Sequence, residues 1–159
     1  MAFRFLASGI AFGIAALAAV AQTPPQPVLE QSSLDIVSRE TVHSFTVEFA
    51  DDQIEIATGM MGRPELAGDA GMLFDLGRVR DPSFWMKDVL IPLDLLFIDT
   101  GGTVVAIAEN AEPGSLRRIS PGIPVRGVLE LRGGRAEELD LAPGDTVRHP
   151  LFGVETDSE

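Results

Sequence analysis

The stretch SFWMKDVLIPLD, residues 83–94, places the chain's single tryptophan, Trp85, close to Lys87, Asp88 and Asp94. An indole face, an ammonium group and a carboxyl group at this spacing suit two tasks. They can close a buried ion pair, or they can recognise a small ligand by stacking, charge and hydrogen bonding. Extended backbone alternates its side chains, so Phe84 and Met86 face one way and Ser83, Trp85 and Lys87 the other. Trp85 and Lys87 are then same-face neighbours about 7 Å apart, and the lysine stem can lie on the indole. After the connection Asp88–Pro92 the chain returns with Leu93, Leu95 and Phe97 on one face and Asp94, Leu96 and Ile98 on the other. Asp94 thus stands at the mouth of a buried strand, where an unpaired carboxyl group is costly. Lys87 or Arg63 is expected to pair with it. The plainer reading of the same residues is a structural ion pair with Trp85 as a core anchor.

Other chemistries find little support. His43 and His149 are the only histidines and there is no cysteine, which removes the common zinc and redox arrangements and any disulfide. No G-x-S-x-G elbow, P-loop or G-x-G-x-x-G occurs. Asp99-Thr100-Gly101-Gly102 resembles the start of a calcium loop, but later ligands are missing, so a hairpin turn is expected. Met60, Met61 and Met72 lie near Met86 and make thioether binding of Cu(I) a minor alternative to core filling. No metal or other cofactor is expected.

The elements that must position these residues are legible in part. At 159 residues the chain is read as one domain. Residues 1–21 carry Arg4, an apolar run from Phe5 to Val20 and Ala19-Val20-Ala21 as a cleavage site, a secretory signal rather than a membrane anchor. Its removal takes the formal charge from −12 to −13, because Arg4 leaves and no acid does. So acidic a surface, without a basic stripe, argues against a nucleic-acid partner. Residues 22–33 read as a proline-rich flexible spacer, 34–154 as the domain and 155–159 as a frayed acidic tail.

Within the domain, Phe45, Val47 and Phe49 alternate as on a half-buried strand. Asp52 and Glu55 form a capping-box pattern that predicts a helix over 52–61, ended by Gly62. Met72-Leu73-Phe74, SFWMK, LDLLFID and TVVAIAE follow as strands, with a hairpin at Thr100-Gly101-Gly102. LDLLFID is apolar on both faces and therefore central in its sheet. Residues 110–124 form a long loop, a length more often functional than accidental. VRGVLEL predicts a strand, RAEELD a short helix, and LAPGDTVRH a turn into a last strand.

GMMGRPELAGDAGMLFDLG, SFWMKDVLIPLDLLFID and VLELRGGRAEELDLAPGDTV together resemble the DUF192 family, small and often exported domains of uncharacterised function. The similarity runs from about Val42 to Val147. It falls on Arg63, Gly71, Met72, Phe84, Trp85, Met86, Lys87, Pro92, Asp94, Glu130, Gly144 and Asp145. Where the family usually has asparagine and threonine after the lysine, this chain has Asp88 and Val89. The resemblance implies a small single domain rich in β-structure, and with the Gly144-Asp145 turn it points to a mainly β, compact barrel or sandwich with one or two short helices.

Gly71, Gly144, Pro92, Phe84 and Met72 have backbone or core explanations. Arg63, Trp85, Lys87, Asp94 and Glu130 are the candidate ligand-binding residues, with Glu130 facing opposite to its flanking Leu129 and Leu131 and open to solvent. The expected function is a non-catalytic periplasmic or secreted binding or accessory module for a small anionic or glycan-like ligand. The alternative is a cell-envelope hydrolase or lyase that uses Asp94 and Lys87 as an acid–base pair.

Overall fold

A computed structural model describes residues 23–154 and 156. Residues 1–21, read from the sequence as a secretory signal, and, but for residue 156, the acidic tail lie outside the described residues. Seven strands form one sheet: β1 (Gln31–Ser38), β2 (Thr41–Ala50), β3 (Ala70–Arg80), β4 (Leu93–Ile98), β5 (Val104–Ala111), β6 (Val125–Arg132) and β7 (Thr146–Arg148). Their order across the sheet is β5-β4-β6-β3-β2-β1-β7. Among the described residues only β2 and β3 pair in parallel. Parallel neighbours need a crossover, and helix α1 (Gln53–Thr58) lies within it. Helix α2 (Arg135–Glu138) and a 3-10 turn at Pro150–Phe152 flank β7.

The sheet curls into a half-barrel. Thr103, just before β5, bridges Thr146 on β7, and the Val147 N–H donates to the Gly102 carbonyl at 2.7 Å. The first and last strands of the order therefore meet at one end. The concave face holds one core, built from Leu34, Phe45, Val47, Leu73, Leu96, Leu129, Val147 and their neighbours. The convex face of β3, β6 and β4 holds a second, with Met72, Phe74, Leu93, Leu95, Phe97 and Val128. The alternation read from LDLLFID holds: Leu93, Leu95 and Phe97 pack in the convex core, Leu96 and Ile98 in the concave one. With apolar partners on both faces, β4 runs between β5 and β6.

The convex core needs a cover, which α1, the turn after it and residues 81–92 supply. Asp52 caps α1 by accepting from the Ile54 and Glu55 N–H groups at 2.7 and 2.8 Å, and Glu55 reaches back to the Asp52 N–H. The predicted capping box is present, but the helix stops at Thr58. Gly59, not Gly62, ends it, with a positive φ of 48°. Asp52→Ala should cost about 1 kcal/mol, measurable by urea unfolding, because the cap is solvent-exposed and two N–H groups lose their acceptor to water rather than to burial.

Three further expectations change. β1 starts at Gln31, three residues before Leu34. The residues before it lie against the domain: the Leu29 N–H donates to Glu48 and Gln26 Nε2 to the Gly59 carbonyl. β3 runs to Arg80, well past Met72-Leu73-Phe74. SFWMK is not a sheet strand. Its backbone pairs instead with the long loop, Phe84 with Ile119 in both directions and Met86 with Ser115 and Gly114, all at 2.9 Å.

Candidate functional site

Residue by residue, the structure separates the five sequence candidates. Asp94 lies at the start of β4 on the concave face and is fully buried. Its Oδ1 accepts from the N–H groups of Asn110 (2.8 Å) and Gly134 (3.1 Å), and its Oδ2 from Ala136 (2.8 Å). Helix N-termini leave N–H groups without intrahelical partners, and the N-cap of α2, Gly134, has no side chain to satisfy them. Asp94 does so from a neighbouring strand. Neither Lys87 nor Arg63 pairs with it, so the expected ion pair is replaced by backbone donors. Gly133 belongs to the same arrangement: a Cβ there would stand 2.7 Å from the Pro92 side chain.

Arg63 is instead bidentate to Glu48, at 2.6 and 2.7 Å, both side chains largely buried. Glu48 was not singled out in the sequence, because its position in an alternating strand reads as the solvent side. The cover over the convex face turns that side inward.

Lys87 is exposed, 3.9 Å from Asp88 and 5.8 Å from the centre of the Trp85 ring. The same-face pairing of lysine and indole is as expected. Trp85 itself is 51% exposed, so it is not a core anchor. The acid–base pairing of Asp94 with Lys87 is not assembled. Asp88 adopts a positive φ of 58°, a conformation in which asparagine and aspartate are the most tolerated residues after glycine. That accounts for an Asn or Asp at this position without a ligand role.

Glu130 on β6 departs most from expectation. It is paired across the sheet with Met72 on one side and Leu95 on the other, and Met72 with Glu48. These residues stand abreast on the convex face, with Glu48 and Glu130 two strands apart, about 10 Å. Arg63 occupies Glu48. Glu130 is 5% exposed, and its Oε2 has no hydrogen-bond partner among the described residues. Burial pushes its carboxyl up to about 8, so the proton stays on at neutral pH. The solvent-facing position expected from its flanking leucines is corrected by the segments packed over the sheet. Gly71 on β3 makes room beside it: a Cβ there would lie 2.8 Å from the Glu130 carbonyl oxygen.

Glu130 lines a cleft of about 720 Å³ between α1, the end of β3 and residues 82–89. Ile56, Met60, Phe74, Phe84 and Val89 contribute apolar wall, and Trp85 borders it. Arg78 and Arg80, at the exposed end of β3, also line it and have no ion-pair partner among the described residues. Asp75, by contrast, is held by a bidentate bond from Arg126, which keeps its carboxyl below the usual range. The sequence signal for Arg78 and Arg80 was present, two arginines in GRVR within an acidic chain, but nothing placed them beside Trp85.

A Ser–His contact elsewhere has no catalytic polarity. Ser32 Oγ lies 2.9 Å from His149 Nε2, while His149 Nδ1 accepts the Leu151 N–H. Burial lowers the pKa of this ring and favours its neutral form. The proton therefore sits on Nε2 and faces Ser32, so the ring cannot take the serine's proton. Met60, Met72 and Met86 are buried in the convex core. No group of three His, Asp or Glu side chains among the described residues is placed to hold a metal.

A family model for DUF192, described as an uncharacterized ACR, matches residues 35–149. The chain belongs to the DUF192 family. Two solved structures are similar to it. One, from Sinorhizobium meliloti 1021 and named a "putative transcription regulator", is 37% identical with a TM-score of 0.77, the match covering 79% of this chain and 98% of that one. The other, a protein of unknown function from Novosphingobium aromaticivorans DSM 12444, is 34% identical with a TM-score of 0.75, covering 82% and 94%. No curated protein matches. The DUF192 resemblance read from FWMK and IPLD thus extends over nearly the whole described domain, but it brings no reaction with it.

Proposed function

We propose that this DUF192 protein is a non-catalytic binding or accessory module, exported to the periplasm or beyond, whose cleft takes a small anionic or glycan-like molecule. One observation carries the reading: a buried carboxyl group without a partner at the wall of a cleft whose lining is part apolar and part polar. Such a group costs stability, and a ligand that meets it recovers the lost hydrogen bond. Trp85 offers a stacking face beside the cleft, and Arg78 and Arg80 suit an anionic end. Asp94 and Arg63 hold the scaffold.

The name of the Sinorhizobium neighbour suggests regulation. A formal charge of −12 disfavours contact with phosphate backbones, and the longest described helix has six residues, a short reader for a major groove. Small-molecule binding therefore fits this chain better than contact with nucleic acid. The leader at 1–21 supports export, and mass spectrometry of the protein recovered from its native host should find a chain that begins at Gln22.

The chain has one tryptophan and no tyrosine, so its fluorescence reports on Trp85 alone. Acrylamide should quench the free protein readily. Titration with a panel of envelope sugars, organic acids, peptides and Cu(I) should give saturable protection by one class, lost in Arg78→Ala/Arg80→Ala if that class is anionic. Quenching that no compound alters would contradict the binding reading.

A further inference from the structure

Resting on that reading of the cleft, we propose that its ligand is a small, partly apolar molecule bearing a carbonyl or carboxylate oxygen, which Glu130 binds as a hydrogen-bond donor. Glu130 sits among apolar neighbours, with Met72 and Leu95 beside it in the sheet. Arg63, one of the cations near this face, is engaged with Glu48. An oxygen buried in this way without a partner is complemented by a single polar atom.

The protonated carboxyl group has one O–H to give, so its natural complement is an acceptor. Burial is what keeps that proton in place at neutral pH. A carboxylic acid held neutral by an apolar site is an effective donor to a carbonyl or oxyanion. Of the charged groups lining the cleft, Asp75 is held by Arg126 and Asp51 stands at the exposed rim, while Arg78 and Arg80 add positive charge that favours an acceptor which is itself negative. The apolar wall from Ile56, Met60, Phe74 and Val89 takes the rest of the molecule.

Calorimetric titration with naphthoate, acetylnaphthalene and naphthylmethylamine, which share one apolar body, tests this between pH 6 and 10. The carboxylate and the ketone should bind, and Trp85→Ala should weaken both. Their affinity should be level below pH 7 and fall about tenfold per unit above pH 8, as the donor proton is lost. Glu130→Gln keeps a donor in the same shape and should bind both without that fall. If that variant does not fold, the profile of the unaltered protein decides alone. Binding of the amine in preference, or a flat profile with Trp85-sensitive binding, overturns the donor role and leaves the cleft as a binding site. Absence of binding by all three probes overturns the proposal. A Trp85 signal indifferent to the wider panel as well removes the cleft reading with it.

Discussion

Asp94→Ala is expected to destabilise the domain by about 2–4 kcal/mol, because three N–H groups, one buried and two part-buried, lose their acceptor at once. Buried donors without partners cost about 1–3 kcal/mol each; the Ala136 N–H is buried and bears that cost in full, while the part-buried Asn110 and Gly134 N–H groups bear less of it. Asp94→Asn should cost less, since its one remaining carbonyl oxygen can keep the Asn110 and Gly134 bonds while its amide group opposes the Ala136 N–H. Urea unfolding of the three proteins should rank them native, Asn, Ala. The Lys87→Ala variant belongs in the same experiment. Its side chain is half exposed and its carboxylate neighbour is 3.9 Å away, so it should fall within about 0.5 kcal/mol of the native protein. A large loss on Lys87→Ala with little on Asp94→Ala would reverse the assignment of the two residues.

The second large effect is a dependence on pH. Glu130 binds its proton with a pKa of about 8 when folded, against 4.5 for an ordinary glutamate. Between these values the native state holds a proton that the unfolded chain has released. Stability from this group is therefore full below pH 4.5, falls by about 1.4 kcal/mol per unit as pH rises through the window, and is lost above about pH 8. Glu130→Gln carries no such proton. Relative to the native protein, the variant should be close in stability at pH 5 and more stable by about 3–5 kcal/mol at pH 9. Unfolding curves for both proteins across this range check it. A constant difference at every pH would mean that Glu130 is solvated when folded.

Much of the fold was legible because its signals are local. The alternation of β2 and β4, the Asp52/Glu55 cap and the Asp99 hairpin turn each depend on a few adjacent residues, and each is present. The family block SFWMKDVLIPLD was legible too, and so was the shared face of Trp85 and Lys87. What the residues could not reveal is which face of the sheet would be covered. Glu48 and Glu130 both sit in alternating strands at positions that read as solvent-facing, and both are buried by segments distant in sequence. Asp94 does need partners, but they are backbone donors from α2, some forty residues on, rather than a cation. SFWMK has the composition of a strand, and it pairs with a loop rather than a sheet because the convex core required a lid.

The central claim is that Glu130 is a protonated, buried acid at neutral pH beside a cleft. Carbon-13 NMR of the glutamate side-chain carboxyl groups, followed from pH 4 to pH 10, reads this directly. The account predicts one glutamate that titrates with a midpoint near 8 and disappears from the spectrum of Glu130→Gln. If every glutamate titrates in the ordinary range near 4.5, or if the high-midpoint signal persists in the variant, the account is contradicted.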